Sequence, residues 1–469
     1  MSSDAVTLVL DVGKTHSKLL AIDDSGTLLG QWQQASTSIE APEGYRALDT
    51  AATEGWLRES LAELGTLRQR ISAIVPVGHG AALAGIDERG LVLPVPDYEF
   101  TGFDQRCDNW LRRVDPFGDC FSPVLPQGLN LATQLDWLER KLPGRVARVK
   151  YWMPYPQYWA WWLSGVASCE VSSLGCHSLL WQPRRGDWSA LAKRAGWAAR
   201  FAPMRKAWES LGTLRPELAR HFNLPADVRV LCGAHDSNAC LARYLPAWSR
   251  MTLVSTGTWV VVMAPGAPLT GLDAADDCLA NVSVRGDPVP TGRFMGGREY
   301  ERLGADDNPG PATLDSLRLV LETGIRVLPR ARSVGMGDGS EVATEELPRL
   351  LPASARGALA CLHLARRTAK LVRALKAPAP VVVDGPFAAN AVYLEILASL
   401  VDGIHVTSDP VDGTARGGWT LARWGGGGRV APQVARLEPN PQLHDLLGRC
   451  VGASARNREY RDETAGTCK

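Results

Sequence analysis

Near its start the chain reads Leu8-Val9-Leu10-Asp11-Val12-Gly13-Lys14-Thr15-His16-Ser17-Lys18-Leu19-Leu20. The pattern predicts a buried strand that ends on a carboxylate, a turn over a glycine and several donors, and a second strand returning from Lys18. Such a turn can hold a phosphate, because Gly13 lets the backbone approach a ligand and the neighbouring hydroxyls and lysines offer donors and charge. Asp11 is placed to face a metal ion. A plain structural hairpin is the alternative, and this stretch alone leaves both readings open.

Composition limits the class of protein. The 469 residues are too many for one ordinary core and predict two domains, and 45% hydrophobic with 22% charged residues is typical of a soluble globular protein. The net charge of +1 gives no support for nucleic acid or a membrane as partner. The ten cysteines are scattered, which predicts reduced thiols and no zinc site. Without a leader-like segment near Met1 or a long apolar run elsewhere, we expect a cytoplasmic protein.

A second strand, glycine turn and strand occur later, around Ser255-Thr256-Gly257-Thr258. The repeated design predicts two similarly built α/β halves. We expect an N-terminal domain over residues 1–245, a C-terminal domain over 246–430, and a polar tail over 431–469 that has no assigned role. Helices are expected over about 44–64 and about 355–375, and the aromatic run at 158–162 is interpreted as core in preference to a sugar platform.

Two further strands end on groups that carry chemistry. The strand over 71–78 leads into His79-Gly80, and a strand over 228–233 leads into Asp236, with His235 before it. Catalytic groups often lie at such strand ends in α/β sheets. A carboxylate there can accept the proton of an attacking hydroxyl, while the alternative for Asp236 is a helix cap. For His235 we favour a packed histidine over a group that supports Asp236.

With these landmarks in order, the sequence resembles the FGGY carbohydrate kinases of the actin, Hsp70 and hexokinase superfamily, from about residue 6 to about residue 425. The resemblance implies an α/β fold with two ribonuclease H-like domains around a catalytic cleft. It also implies ATP and Mg²⁺ as cofactors and a small-molecule sugar as substrate, and it leaves a homodimer open.

The resemblance assigns roles residue by residue. Asp236 matches the catalytic base, and Asp11 with Asp236 matches the metal ligands. The sugar contacts are His79, Gly80, Asp97, Tyr98 and Asp236. The nucleotide contacts are Gly13, Lys14, Thr15, Lys18, Thr256, Gly257, Thr258, Gly297, Gly385 and Asn390.

Three positions depart from the family pattern. Lys14 stands where threonine is more usual, and Gly385 is a single glycine where the adenosine motif often has a pair, so Gly297 is expected to take part of that role. Only Gly335-Met336-Gly337-Asp338-Gly339 stands in place of the signature that names the family.

The resemblance favours phosphorylation of a 6-deoxyketose such as L-fuculose or L-rhamnulose. A ketopentose kinase for xylulose or ribulose, and a non-catalytic sugar- or nucleotide-binding relative, are the alternatives. An actin-like or chaperone-like ATPase would need a module that the sequence does not display. A dinucleotide oxidoreductase would need G-x-G-x-x-G after the first strand, and that motif is missing there.

Overall fold

The computed structural model describes residues 5–304, 312–328, 333–335, 341–409, 411–425, 432–445 and 447. They form two compact units. The first unit comprises Met1–Ser249, Pro268–Thr291 and Pro410–Pro432, and the second comprises Arg250–Ala267, Gly292–Asp409 and Gln433–Lys469. Two units are thus observed, as the chain length predicts. Two segments expected in the second domain belong to the first unit instead.

The strands are short, as is usual in α/β proteins. In chain order they are β1 (Val6–Val12), β2 (His16–Asp23), β3 (Leu28–Ala35), β4 (Ser38–Glu40), β5 (Arg46–Leu48), β6 (Ile71–Gly78), β7 (Leu83–Asp87), β8 (Gly90–Leu91), β9 (Tyr151–Pro154), β10 (Trp181–Gln182), β11 (Asp187–Trp188), β12 (Ser210–Thr213), β13 (Arg229–Leu231), β14 (Ala234–His235), β15 (Thr252–Thr256), β16 (Val260–Met263), β17 (Cys278–Val282), β18 (Pro288–Phe294), β19 (Arg326–Val327), β20 (Ser333–Gly335), β21 (Glu341–Ala343), β22 (Val381–Asp384), β23 (Ile404–Thr407) and β24 (Val434–Arg436).

The helices range from single turns to one of 22 residues. They are α1 (Thr50–Ala62), α2 (Trp110–Arg113), α3 (Phe117–Cys120), α4 (Leu131–Lys141), α5 (Pro143–Val146), α6 (Tyr155–Ser164), α7 (Val171–Leu174), α8 (Ala190–Arg194), α9 (Pro216–His221), α10 (Asp236–Ala242), α11 (Gly296–Gly304), α12 (Leu314–Thr323), α13 (Leu347–Leu350), α14 (Ala353–Ala374), α15 (Ala391–Leu400) and α16 (Gly413–Ala422). Among the described residues, no helix is long and apolar enough to cross a membrane.

The sheet of the first unit is mixed, with the order β12-β13-β6-β1-β2-β3 and β14 also paired to β6. Strands β1, β13 and β14 run parallel to β6, whereas β2 returns antiparallel to β1 and β3 returns antiparallel to β2. The predicted opening hairpin is therefore confirmed, and β3 extends it into a three-stranded antiparallel meander. The largely apolar β1 is buried along its whole length, as expected for a strand covered on both faces.

The second unit repeats this plan. Strand β15 pairs antiparallel with β16 and parallel with β22, and β22 pairs parallel with β23. Both predicted strand–glycine–strand hairpins are thus present, each beside parallel strands. The polar tail expected from residue 431 does not begin there, because β24 pairs antiparallel with β23 and continues this sheet. Residues 448–469 lie outside the described part.

Two helix predictions have different outcomes. The long helix predicted near 355–375 is observed as α14. The helix expected from about residue 44 begins only at Thr50, because Arg46–Leu48 pairs with Ser38–Glu40 as a strand. Asp49 then caps the helix through a 2.9 Å hydrogen bond from the Ala52 amide, which fixes its start.

The aromatic run of α6 is core, as predicted. Trp159 is fully buried, and its ring meets the rings of Tyr155 and Tyr158 in edge-on contacts. Trp152 on β9 is fully buried as well. Such rings contribute large buried areas, which suits them to the interior of a long domain. They do not form an open sugar platform.

Helix α16 carries the chain back to the first unit, where it packs on α10 and on strands β1 and β6. Two adjacent glycines make this possible. A Cβ atom at Gly417 would lie 1.8 Å from the carbonyl oxygen of Ala239, and one at Gly418 would lie 2.6 Å from a methyl group of Val9. The backbone of α16 therefore approaches α10 and the sheet more closely than any side chain would allow.

Candidate active site

Three parallel strands of the first unit end at the same edge of the sheet. Asp11 on β1 and Ala234 on β14 are both paired with Val77 on β6. His79 follows β6 and Asp236 follows β14, so the sheet brings Asp11, His79 and Asp236 to one edge. This is where ligands bind in open α/β sheets, and it is where the sequence placed these groups.

Asp11 lies in a negatively charged environment that one lysine partly offsets. It pairs directly with Lys18 across the first hairpin, and its side chain is buried. Burial first, and then the neighbouring carboxylates of Asp412 and Asp236, raise the pKa of Asp11 well above its usual value, while Lys18 acts in the other direction. A cation that binds beside Asp11 would therefore stabilise its ionised form.

The partner of Lys18 is Asp412, which the sequence analysis did not identify. The Lys18 Nζ lies 2.8 Å from Asp412 Oδ2, while Oδ1 of the same carboxylate accepts a 2.9 Å hydrogen bond from the Thr414 amide. Asp412 thus caps α16 and fixes Lys18 at once. The only sequence signal was Asp before Gly-Thr at a helix start, which by itself indicates a cap.

The turn after β1 is tight. The Gly13 amide donates to His16 O at 3.0 Å, and a Cβ at Gly13 would lie 2.7 Å from that oxygen, so the turn requires glycine. Thr15 is exposed at its tip. The turn therefore presents its backbone and one hydroxyl to solvent, and a phosphate contact there stays a prediction.

Lys14 belongs to a different cluster. Its Nζ lies 2.6 Å from Asp97 Oδ1 and 3.4 Å from Glu99 Oε2, and it stands 5.0 Å from the centre of the Tyr98 ring. The residue expected to contact phosphate is instead tied to the stretch expected to contact sugar. This contact also accounts for lysine at a position where threonine is more usual.

Asp97 is the buried centre of that cluster. Its carboxylate is 0% exposed and accepts hydrogen bonds from Lys14 Nζ, Ser38 Oγ at 2.6 Å, Arg46 Nε at 2.9 Å and the Glu99 amide at 3.0 Å. Burial alone would raise the pKa of Asp97, but these donors outweigh it and hold the pKa below its usual value. Asp97 is saturated with partners, so it orients Lys14 and has no lone pair left for a ligand.

His79 and Gly80 line the same region. The His79 Nδ1 lies 2.8 Å from Gly80 O, and the ring packs against Tyr98 and Tyr155 with centroid distances of 5.9 and 5.2 Å. Because a carbonyl oxygen only accepts, Nδ1 carries the proton. Burial lowers the pKa of His79, so Nε2 of the neutral ring is an acceptor suited to a sugar hydroxyl.

Asp236 is the first residue of α10, and the cap position is His235. Asp236 is therefore not the N-cap residue of α10, which was the alternative to its role as a base. Its Oδ1 accepts a 2.5 Å hydrogen bond from the Ser237 amide and lies 3.1 Å from His235 Nε2. The side chain is 31% exposed, so the carboxylate is held and still accessible to a ligand.

A buried pair lies behind Asp236. Cys176 Sγ is 3.4 Å from His235 Nε2. Burial opposes charge on both groups, but they stabilise each other's charged form. The pKa of His235 is raised to about 9 by Cys176 and Asp236, and the pKa of Cys176 is lowered to about 5 by His177 and His235. The sequence analysis did not find Cys176, because no spacing rule joins it to the distant His235.

In the second unit, the ends of β15 and β22 lie side by side. The Thr256 Oγ1 donates to Asp384 O at 2.6 Å and accepts from the Phe387 amide at 3.1 Å, so this hydroxyl joins the two turns and is occupied. Gly385 has a φ of +88°, and a Cβ there would lie 2.0 Å from Thr256 O. A single glycine is therefore a geometric requirement at this point.

The other predicted nucleotide contacts lie around the same turn. The Gly297 amide donates to Thr258 O at 3.2 Å, and a Cβ at Gly297 would lie 2.5 Å from Gly257 O. Thr258 is exposed, and nothing lies within 4 Å of a Cβ built at Gly257. Asn390 caps α15 by accepting from the Tyr393 amide at 3.0 Å. Residues 336–340, which include most of the altered family signature, lie outside the described part.

The predicted Mg²⁺ ligands can be tested against this geometry. Among the described residues, no group of three or more His, Cys, Asp or Glu side chains could hold a metal ion. Mg²⁺ bound with a nucleotide needs only one or two carboxylates, since phosphates and water complete its shell. Asp11, whose negative surroundings Lys18 offsets only in part, and Asp236, which is 31% exposed, fit that requirement.

Comparisons with known proteins agree with this geometry. The profile of the FGGY family of carbohydrate kinases, N-terminal domain, matches residues 6–242, and that of the carbohydrate kinase FGGY, C-terminal domain, matches residues 249–429. A carbohydrate kinase structure from Novosphingobium aromaticivorans is 35% identical, with a TM-score of 0.82 over 100% of both chains.

More distant relatives carry narrower names. L-fuculokinase of Salmonella typhi is 24% identical over 271 residues, which cover 55% of this chain and 56% of that protein. The chain therefore spans little more than half the length of that curated relative. A ligand-bound xylulose kinase structure from Lactobacillus acidophilus has 16% identity and a TM-score of 0.75 over 99% of both chains, which shows the fold alone. The fold, the site residues and the two profiles together show that this chain belongs to the FGGY family of carbohydrate kinases.

Proposed function

We propose that this protein is an ATP-dependent sugar kinase. The observation that carries the proposal is the strand edge of the first unit, where an accessible carboxylate, Asp236, lies at the same edge as the Asp11–Lys18 pair. One group there accepts a proton and the others bind phosphate and metal, which is the division of labour that phosphoryl transfer needs. Family membership supports the same reaction.

In the proposed reaction Asp236 takes the proton from a sugar hydroxyl as its oxygen attacks the γ-phosphorus of ATP. A bond forms between that oxygen and phosphorus, the bond from phosphorus to the bridging oxygen breaks, and ADP leaves. Lys18 and the amides of the Gly13 turn stabilise the charge that develops on the phosphoryl oxygens. Asp11 and Asp236 would hold Mg²⁺, which supplies positive charge to the phosphates.

The second unit supplies the remaining nucleotide contacts in this proposal. Thr258 and Gly257 are accessible to a phosphate. The hydroxyl of Thr256 is already hydrogen-bonded to Asp384 and Phe387, and it stabilises the turn. Gly297 and Gly385 are required by close backbone approaches around that turn. Asn390 acts through the start of α15.

For the substrate we propose a 6-deoxyketose such as L-fuculose or L-rhamnulose. The match to L-fuculokinase supports this choice, and so do the rings of His79, Tyr98 and Tyr155, which offer an apolar wall for a methyl group. Lys14 and Glu99 would meet the sugar hydroxyls from the same side. A ketopentose such as xylulose is the second candidate, on the fold similarity to xylulose kinases.

A coupled assay of ADP release tests the proposal. Mg-ATP is supplied with a panel of 6-deoxyketoses, ketopentoses, polyols and aldonates, and one of the 6-deoxyketoses is expected to give the highest kcat/KM. Release of ADP no faster with any sugar than without would contradict the kinase and favour a non-catalytic relative.

The Asp236→Asn variant tests the base in the same assay. It should keep its affinity for the sugar while kcat falls by about a hundredfold or more, the range for loss of a general base. Sugar affinity measured by calorimetry is the control for folding. Turnover equal to that of the wild type would show that Asp236 is not the base.

A further inference from the structure

The two oxygens of the Asp236 carboxylate have different surroundings. Oδ1 accepts from the Ser237 amide at 2.5 Å and the Ser237 hydroxyl at 3.2 Å, and it lies 3.1 Å from His235 Nε2. Oδ2 has no hydrogen-bond partner within the part of the chain that the structure describes. The donors gather on one oxygen, which leaves the lone pairs of the other for a proton.

The contact with His235 is an ion pair, and the His235 ring is held from several sides. The Asn238 Nδ2 lies 3.2 Å from His235 Nδ1, and Cys176 Sγ lies 3.4 Å from Nε2. The His235 amide donates to Ser172 Oγ at 3.3 Å. Because the Asp236 carboxylate only accepts, Nε2 carries a proton in both the neutral and the charged ring, and that proton lies between the Cys176 sulfur and the Asp236 carboxylate.

The position of the ring also explains Gly80. A Cβ atom at Gly80 would lie 2.8 Å from His235 Nε2 and 3.6 Å from Cys176 Sγ. Glycine at that point gives the imidazole its space. The His235 ring is therefore confined by Gly80, Cys176 and Asn238, which lie on three separate segments of the first unit.

We propose that His235 is a positioning residue for Asp236. Its Nε2–H, shared with the Cys176 sulfur, fixes Oδ1 and so turns Oδ2 toward the sugar hydroxyl. The inference rests on the proposed function, in which Asp236 is the base. It assigns to His235 the supporting role that the sequence alone did not favour.

The test compares His235→Leu, which fills the space without a donor, with His235→Gln, whose side-chain amide keeps a donor near the position of Nε2. For His235→Leu we expect kcat to fall about tenfold to a hundredfold, as for a lost hydrogen bond to a charged group, with sugar affinity within about twofold. His235→Gln should recover most of the loss. A merely structural role would lower both variants together and would weaken sugar binding.

A double-variant cycle separates this inference from the proposed function. If His235 acts through Asp236, adding His235→Leu to Asp236→Asn should change the residual kcat by no more than about twofold. His221→Leu, at an exposed histidine of the same unit whose ring lies 4.6 Å from that of Phe222, is the control and should leave kcat unchanged.

Two results would overturn the inference: equal losses in His235→Leu and His235→Gln, or the same fold-loss from His235→Leu with and without Asp236. In either case a large loss in Asp236→Asn alone would still support the proposed function. Full activity of Asp236→Asn would instead contradict both the proposed role of Asp236 as the base and this inference about His235.

Discussion

Lys14 lies between the carboxylates of Asp97 and Glu99, so a substitution there can distinguish the proposed sugar contact from a contact with ATP. Lys14→Thr should raise the KM for the sugar about fivefold or more, because Asp97 and Glu99 lose their cation, and leave the KM for ATP within about twofold. Lys18→Thr is the matched control and should raise the KM for ATP. A rise in the KM for ATP in both variants would show that Lys14 contacts the phosphates of ATP.

Asp97 should make stability depend on pH in a defined direction. Its folded-state pKa is below the usual value of about 3.9, so the ionised form stabilises the fold. That contribution is complete above about pH 4 and is lost as the pH falls through the folded-state pKa. Asp97→Asn should lower the free energy of unfolding by about 1–3 kcal/mol at pH 7, since four donors lose a charged acceptor.

The difference between wild type and Asp97→Asn should shrink as the pH falls below about 4, which urea denaturation at several pH values measures. Glu88→Gln is the control, because the Glu88–Lys150 pair is exposed to solvent and its loss should leave the free energy of unfolding nearly unchanged. A difference that is constant with pH would show that Asp97 contributes by shape and not by charge.

At the scale of single residues, the sequence predicted contacts and positions where the residues belong to one hairpin or follow one strand. Asp11 and Lys18 follow from the register of adjacent strands, and Asp236 follows from the end of a short strand. Contacts such as Lys14 with Asp97, or Cys176 with His235, join positions far apart in the chain. No local pattern encodes them, because tertiary packing creates them.

Among the elements of the first unit, α16 and α10 cross in close backbone contact. Gly417→Ala would place a methyl group where the Ala239 carbonyl now lies, so the two helices must separate. We expect a loss of about 1–3 kcal/mol in unfolding free energy, as for overpacking of a core, and a lower kcat because α10 begins with Asp236.

Gly55→Ala is the control for this prediction. Gly55 lies inside α1 with open space around it, so alanine should be neutral or should stabilise the helix by about 0.5–1 kcal/mol. Thermal unfolding and steady-state kinetics of the two variants, side by side, make the comparison. Unchanged stability and kcat in Gly417→Ala would mean that α16 can shift without consequence for the site.

The elements themselves were predictable where periodicity was strong. The opening hairpin, the second hairpin and α14 follow from strand or helical patterns in the sequence. The start of α1 was misplaced because pairing of Arg46–Leu48 with Ser38–Glu40 outweighs helical propensity there. The close crossing of α16 could not be predicted, because its only sequence signal is the pair Gly417-Gly418, and such a pair is equally typical of a loop.

For the whole molecule, the repeated hairpin correctly predicted two α/β halves, whereas a division by sequence order did not predict that α16 joins the first unit. A fragment of residues 1–245 should therefore be unstable on its own, since β1, β6 and α10 would lose the helix that covers them. Circular dichroism and denaturation of the fragment, with and without residues 411–425 attached by a flexible linker, measure this. Cooperative unfolding of the bare fragment at wild-type stability would contradict it.

The return of α16 also sets an order of events during synthesis on the ribosome. Domains that are continuous in sequence can fold as soon as they emerge, N-terminal first. Here the helix that packs on Asp236's own helix, and the Asp412 carboxylate that fixes Lys18, leave the ribosome after almost the whole chain. Until α16 has been synthesised, part of the sheet of the first unit stays uncovered, and Lys18 lacks the carboxylate that fixes it.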